Sequence, residues 1–540
     1  MSPFNPQPST EVYRIGIDVG GTNTDAVILD SAHRVVAKTK SATTSDVGTG
    51  IVNALREVLR QSGLPPESIR YAMLGTTHCT NAIATRRGLS PVGIVRLGAP
   101  ATLAIDPLTT WPGDLRCQVA AEIRILHGGH EFNGERISPI DPAEIREAGR
   151  QMRGRVRAVA VTGVFSPVNQ EHELKAHDIL QEELGDGIPI TLSSEIGSIG
   201  LLERENAAVL NAALIEVAHA AVTGFERAIR ELGILATLYL GQNDGTLMSV
   251  GYARRYPIFT IASGPSNSIR GAAYLSGLRD AVVVDIGGTT SDIGALRKGF
   301  PRESGVAVEI GGVRTNFRMP DLVSVGLGGG SRVSTDGGMQ VGPDSVGYRL
   351  RSEALVFGGC VLTATDLAVA AGRLALGDPD RVRHLPRPLV DEGLAWIART
   401  LEDHMDRIKI TAEAVPVIVV GGGSILFPDR IAGASEIVRP LHYEVANALG
   451  VAIAQVSGMT DRVYSLEGRT REQVLEEAKR AARDRAIASG ASPESLEILD
   501  VEEIPLAYLP GNAVRIRVKA AGPLDWAGRG RHGAESGAIL

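Results

Sequence analysis

Residues 15–27 read IGIDVGGTNTDAV. An apolar run reaches Asp18, breaks at Gly20-Gly21-Thr22 and resumes at Ala26, which is the pattern of a β-hairpin with an unusually bare turn. The two glycines let backbone N–H groups come close to a ligand. Thr22, Asn23 and Thr24 add short polar side chains, and Asp18 and Asp25 add carboxylates. Phosphate oxygens suit such donors, and Mg²⁺ suits such acids. Taken alone, the stretch reads equally well as an ordinary tight turn.

It does not stand alone. Residues 282–294 read VVVDIGGTTSDIG, again an apolar run into Asp285, followed by Gly287-Gly288-Thr289-Thr290 and Asp292. Two copies of so unusual a loop, each at a strand end, imply two similar lobes facing one bound molecule. A third glycine break completes the set: Val417-Ile418-Val419-Val420 runs into Gly421-Gly422-Gly423-Ser424, with a helix expected from Pro428. A buried strand that delivers bare backbone to a helix start suits the flat face and ribose of a nucleotide.

Composition bounds the rest. At about 150 residues per domain, a chain of 540 residues is expected to hold three or four units. Hydrophobic residues at 44% and charged residues at 22% are ordinary for a globular protein. A net charge of −7 leaves no electrostatic footprint for nucleic acid or an anionic membrane. Cys79, Cys117 and Cys360 are odd in number and far apart, which argues against a disulfide framework or a CxxC metal site and fits a reducing cytoplasm. The first ten residues lack the regions of a signal peptide, and no uninterrupted apolar run approaches the roughly 20 residues needed to cross a bilayer. A cytoplasmic protein is expected.

Between the glycine loops the chain alternates strands and helices. Val47, Ile51, Ala54, Leu55, Val58 and Leu59 recur at helical spacing, with Ser45 or Asp46 as N-cap. Tyr71 to Leu74 reads as a strand ending at Gly75-Thr76-Thr77-His78-Cys79-Thr80-Asn81, a polar cluster at a strand-to-helix junction, where α/β sheets place ligands. His78 stands either as a hydrogen-bonded structural histidine or as a contact to substrate or metal, and Cys79 as a buried small residue. Residues 98–134 read as an irregular loop. Within it, the glycines of His127-Gly128-Gly129-His130 argue for a solvated turn over a metal site. His172 and His177 lie five apart, which turns the second ~140° off the face of the first, so a zinc-binding helix is rejected. Glu203-Arg204 opens a long helix, as a surface ion pair or as a substrate contact. Ser263-Gly264-Pro265-Ser266 introduces another helix. Near the C-terminus, Thr470 and Gln473 make a capping box, and Val514, Ile516 and Val518 alternate as a hairpin strand after Pro510-Gly511-Asn512. Residues 528–540 are expected to be disordered.

In their order the three glycine loops resemble the first phosphate, second phosphate and adenosine loops of the actin, sugar kinase and heat-shock ATPase superfold. Within it, the chain is similar to the hydantoinase A and 5-oxoprolinase family, which includes subunits of acetone-type carboxylases. The narrower resemblance rests on Gly75-Thr76-Thr77-His78 with Asn81-Ala82-Ile83, and on Glu203-Arg204 with Val209-Leu210-Asn211-Ala212. It continues through Ser263-Gly264-Pro265, Gly328-Gly329-Gly330-Ser331, Val341-Gly342-Pro343 and Thr363-Ala364-Thr365-Asp366. It spans most of residues 15–457. Residues 98–134 depart from the larger hydantoinases, which leaves the substrate open, and Ala207-Ala208 stand where the family has small hydroxylated residues.

The resemblance implies an α/β fold of duplicated actin-like ATPase (ribonuclease H-like) lobes with a nucleotide cleft. A first lobe would cover 11–200 and a second 201–465. A small α+β appendage over 466–525 would replace the family's long C-terminal extension, with a tail over 526–540. ATP would lie between the lobes. Gly20, Gly21, Thr22, Asn23, Thr24 and Asp25, with Gly287, Gly288, Thr289, Thr290 and Asp292, would cradle its phosphates. Gly421, Gly422, Gly423 and Ser424 would back the adenosine. Asp18 and Asp285 would hold Mg²⁺, or another divalent or monovalent cation, directly or through water, and Asp285 is the favoured general base. His78, Asn81, Asp321 and Asp366 are candidate substrate contacts, the two acids otherwise serving turns and caps. The implied reaction is ATP-dependent opening of a cyclic amide such as a hydantoin, 5-oxoproline or a lactam, through phosphorylation of the amide oxygen. The alternatives are a ketone carboxylase subunit or small-molecule kinase of the same fold, and a nucleotide-switched regulatory protein. A hydantoinase B-type subunit, a homo-oligomer or both are the expected partners, with neither nucleic acid nor membrane.

Overall fold

The computed structural model describes residues 12–20, 23–42, 47–304, 308–317, 319–506 and 512–524. Gly21, Thr22, the expected caps Ser45 and Asp46, Pro510-Gly511 and the tail from 525 lie outside the described residues.

The first hairpin forms as its sequence predicts. β1 (Tyr13–Val19) pairs antiparallel with β2 (Asn23–Leu29), and β2 with β3 (Val35–Ala42). β1 is buried along its whole length, as a strand covered on both faces must be. β4 (Ile69–Thr76) lies parallel to β1 on the other side. β5 (Val92–Ala99), β6 (Ala120–His127), β7 (Ala158–Gly163) and β8 (Ile190–Leu192) make a separate parallel sheet in the order β6-β5-β7-β8. The 31-residue helix Leu201–Glu231 then carries the chain back, so that β9 (Thr237–Gly241) runs parallel to β4 with β10 (Leu247–Ser249) beside it. The first central sheet therefore extends well past residue 200, where the first lobe was expected to end.

A second sheet repeats the plan. β11 (Ala281–Ile286) pairs antiparallel with β12 (Ser291–Arg297). The strand Val415–Val420 lies parallel to β11 as β4 lies to β1, and Leu322–Val325 pairs with β12 as β3 pairs with β2. Two helices couple the sheets. Ser263–Ser276 follows the first sheet in sequence yet packs Ile269 and Ala272 among Val283, Leu296 and Ile418 of the second. Ala446–Ile453 follows the second sheet yet packs Ala448, Leu449 and Ala452 on Val27 and Leu29 of the first. Where they cross, backbone meets backbone: a Cβ at Gly271 would run into the carbonyl oxygen of Ala446, and one at Gly450 into that of Asn267.

Several expectations need correction. Residues 98–134 are not an irregular loop but hold the helix Gly113–Val119, whose Leu115 and Val119 enter the main core, and then β6. The prolines and glycines mark only the turns between these elements. No helix begins at Pro428, because Ser424–Leu426 makes a single helical turn and the chain proceeds to the strand Ala434–Val438. Leu201–Glu231 is, by length and composition alone, long and apolar enough to cross a membrane. Its Leu210, Leu214 and Phe225 are core residues, and its Asn211 hydrogen-bonds inside the protein.

Residues from Gln455 onward fall in a second compact unit. Val456–Tyr464, expected with the preceding lobe, pairs antiparallel with Val514–Gly522, which in turn pairs with Glu497–Pro505. The Thr470–Gln473 capping box is present and starts the helix Arg471–Ala488. That helix buries Val474, Ala478, Ala482 and Ala486, four apart on one face.

Candidate active site

Strand register sets the chemistry. Asp18 stands opposite Asp25 and Asp285 opposite Asp292, so each hairpin sets two carboxylates side by side. Both turns close alike, with Gly20 N–H donating to the Asn23 carbonyl at 3.0 Å and Gly287 N–H to that of Thr290 at 2.9 Å. A glycine at the end of each strand parallel to a hairpin, Gly75 next to the last residue of β4 and Gly421 just past Val420, is pressed on the carboxylate: a Cβ at Gly75 would strike Asp18 Oδ1, and one at Gly421 would strike Asp285 Oδ1. Register offsets the two glycines by one residue, Gly75 lying opposite Asp18 and Gly421 one past Val420, the partner of Asp285, so Gly75-Thr76-Thr77-His78 and Gly421-Gly422-Gly423-Ser424 occupy similar places at the ends of these parallel strands.

Acids crowded in low dielectric hold their protons. Burial, with Asp25 and Asp285 adding like charge, pushes Asp18 up to about 7, against the pull of the Asn447 amide. Burial also raises Asp25 and Asp285, and burial together with the charge of Asp285 takes Asp292 to about 6. The hairpins of the two lobes therefore share one field. Their hydrogen-bond partners come from elsewhere in the chain. The Ser268 hydroxyl donates to Asp285 Oδ2 at 2.5 Å, Asn447 Nδ2 to Asp18 Oδ2 at 3.0 Å, and Lys40 Nζ to Asp25 Oδ2 at 2.8 Å. Asp18 Oδ1, Thr24 Oγ1 and both amide atoms of Asn267 are buried without a hydrogen-bond partner among the described residues. An all-oxygen set of carboxylates with an orphaned acceptor fits a hydrated Mg²⁺.

The second loop is propped from below. Gly329 N–H donates to the Gly287 carbonyl at 3.0 Å and Gly330 N–H to that of Gly288 at 2.7 Å, while Thr365 bonds the Gly329 carbonyl through N–H and Oγ1. Asp366 accepts from the backbone of Thr363 and Val356, each at 2.8 Å, and completes the cap of the helix Ala364–Ala370. Asp321 is held by Arg302 at 2.8 Å; it precedes Leu322, whose partner Gly294 lies two residues along β12 from Asp292.

At the first lobe's junction, Thr77 Oγ1 donates to the Val19 carbonyl at 3.2 Å. His78 Nδ1 meets Thr76 Oγ1, and burial lowers the imidazole pKa. Asn81 is exposed on the helix His78–Thr85 and donates to Thr77 Oγ1 at 3.3 Å. Cys79 is buried, its thiol pushed up to about 11 by burial, which leaves it unreactive.

The histidine turn is not solvated as expected. His127 is exposed and bonded to Glu144, but His130 is buried and stacks on His172 with ring centroids 4.2 Å apart. With Glu171 these groups lie within reach of one shared ion. However, Gly129 N–H donates to His172 Nδ1 at 3.0 Å, which places the neutral ring's proton on Nε2, and Glu171 is already paired with Arg136 and Lys175. Burial lowers both imidazoles, His172 to about 4. The arrangement is that of a packed neutral pair. Nor is Arg204 in a surface ion pair: it is fully buried and donates to the Ser198 and Ile199 carbonyls and to Ser193 Oγ. Its neighbour Glu205 pairs with Arg96, both fully buried.

Sequence reading missed Lys40, Ser268, Asn267 and Asn447. For two of them a signal existed, because Ser266-Asn267-Ser268 is a polar run in the middle of a helix and is buried. Lys40 gave none beyond its place on a strand.

Duplicated hairpins, each with a parallel strand beside it and a glycine against its first acid, define an α/β fold of the actin-like ATPase type. Residues 14–184 match the hydantoinase/oxoprolinase N-terminal region and residues 204–408 match hydantoinase/oxoprolinase, and the chain belongs to that family. It is 29% identical over 402 residues to caprolactamase subunit alpha of Pseudomonas jessenii, covering 68% of this chain and 56% of that protein. It is 27% identical over 395 residues to the acetophenone carboxylase gamma subunit of Aromatoleum aromaticum, covering 67% and 53%. The fold matches the crystal structure of ATP-dependent caprolactamase from Pseudomonas jessenii with a TM-score of 0.76 at 22% identity, over 95% of this chain and 88% of that one. The chain thus spans little more than half the length of these two curated relatives.

Proposed function

We propose that this chain is the ATP-using component of an enzyme that opens a cyclic amide, such as a hydantoin, 5-oxoproline or a lactam, by phosphorylating the amide oxygen. The observation that carries the reading is the meeting of Asp18 and Asp285, from two equivalent hairpins, in one electrostatic field bordered by bare glycine turns. Caprolactamase subunit alpha among the relatives supports it. When bound, Mg-ATP supplies an electrophilic phosphoryl group and a divalent charge. Gly20 to Asp25 and Gly287 to Asp292 offer backbone donors and short side chains to phosphate oxygens. Gly421 to Ser424 would offer its flat backbone to the nucleoside, and Asp18 and Asp285 would hold the cation. Asp285, oriented by Ser268, is the group placed to act as general base. His78 and Asn81 lie just past the end of β4 and are the proposed substrate contacts.

One observation favours a second reading, ATP-dependent ketone carboxylation: the acetophenone carboxylase gamma subunit matches over nearly the same span at nearly the same identity. A screen of hydantoins, 5-oxoproline, lactams and ketones for stimulation of ATP hydrolysis, with and without bicarbonate, separates the two. Stimulation by a cyclic amide without bicarbonate is the expected result, and stimulation by a ketone only with bicarbonate would replace the first reading by the second.

A further inference from the structure

We propose that Lys40 is a phosphate ligand of the bound nucleotide, its ammonium exchanging one Asp25 oxygen for a phosphate oxygen. This rests on the ATP reading above. Lys40 lies opposite Asp25 on β3, and Asp25 lies opposite Asp18, so the three form one row across the strands. The ammonium bonds both Asp25 oxygens, at 2.8 and 3.0 Å, and the Glu444 carbonyl at 3.1 Å. From there the side chain reaches the second lobe's glycine loop, where a Cβ at Gly422 would stand 3.4 Å from Lys40 Cε. Lys40 therefore spans the first phosphate hairpin and the nucleoside loop, and Asp285 feels its charge as well as Asp25.

Charge balance gives this position its role. Asp18, Asp25, Asp285 and Asp292 carry up to four negative charges, and a polyphosphate brings more. One divalent cation leaves the fully ionised set and polyphosphate negative, so a further fixed cation beside the phosphate favours its approach. Asp25 is sealed in, its side chain 2% exposed, whereas the side chain of Lys40 is 31% exposed. Lys38, two residues earlier, is committed differently: it bonds the Glu444 carboxylate and His442 Nδ1 and ties down the turn Tyr443–Val445. Of the two lysines, only Lys40 touches an acid of the phosphate hairpins.

The test is calorimetric titration of wild type, Lys40→Met and Lys40→Arg with ATP and with AMP, in Mg²⁺. Lys40→Met is expected to weaken ATP by ten-fold or more and AMP by less than three-fold, and Lys40→Arg to recover most of the loss. A lysine that merely neutralises Asp25 would weaken both ligands alike or neither, and either result overturns the proposal. If Lys40→Met does not fold, amine acetylation of the wild-type chain, read by peptide mass spectrometry, decides: ATP is expected to protect Lys40, and equal labelling with and without ATP overturns it. A wild-type chain that binds no ATP would sink the ATP reading itself, and Lys40 with it, which distinguishes that failure from ATP binding that ignores Lys40.

Discussion

Asp18 holds its proton far above the range of an aspartate in water, and in the metal-free chain this sets how stability depends on pH. Its unfolded pKa is about 3.9 and its folded value about 7, so the fold favours the protonated acid. That stabilising contribution is complete below about pH 4 and is lost as pH rises through 7. Asp292, at about 6, acts in the same direction. In a chelator, the melting temperature of wild type relative to that of Asp18→Asn is therefore expected to fall between pH 5 and pH 8, with Asp18→Asn melting above wild type at pH 8. Parallel slopes for the two proteins would mean that Asp18 titrates normally. Asp285→Asn is expected to fold and to bind nucleotide, yet to lower ATP turnover by ~10² or more, because a charge that orients cation and water is gone; steady-state kinetics beside a binding isotherm checks it. These acids are legible in the amino-acid sequence because D-x-G-G-T-x-x-D fixes their spacing within one hairpin. Lys40, Ser268 and Asn447 are not, since they reach the acids from β3 and from the two crossing helices, and sequence order carries no record of a register or a crossing.

At the scale of elements, a glycine and a buried ion pair bear loads that their neighbours cannot. Gly450→Ala puts a methyl group into the Asn267 carbonyl, so at the usual cost of overpacking it is expected to destabilise by about 1–3 kcal/mol or more, read from urea melts. Arg96→Met leaves the Glu205 carboxylate buried and unpaired, for a loss of about 3–5 kcal/mol. Adding Glu205→Leu should restore much of that stability, and a double variant no better than the single one would contradict the account. Hairpins and long amphipathic helices are readable from periodicity and glycine punctuation. The seven-residue helix Gly113–Val119 is not, because it is too short to show a period and opens among prolines and glycines. Arg204 defeats a sequence reading because burial of a guanidinium depends on carbonyls that the chain supplies from residues 198–199, before the helix begins.

For the whole molecule, the duplication is visible in two matching stretches, but the seam between lobes is not, since β9 and β10 return to the first sheet only after a separate four-stranded sheet has been built. Both curated relatives named above are called subunits. The isolated chain is expected to bind Mg-ATP and hydrolyse it slowly, and to form ring-opened product efficiently only with a second polypeptide. Mass spectrometry of product made by this chain alone, at ordinary enzymatic rates, would defeat that expectation. The crossing of Ser263–Ser276 over Ala446–Ile453 adds a mechanical consequence. Each helix is seated on the sheet that the other follows, and each bonds the hairpin acid of its own seat, Ser268 to Asp285 and Asn447 to Asp18. With no side chain between Gly271 and Gly450, the two helices meet there through hard backbone contact. The spacing of the two acids is thereby tied to a fixed distance of closest approach between two backbones.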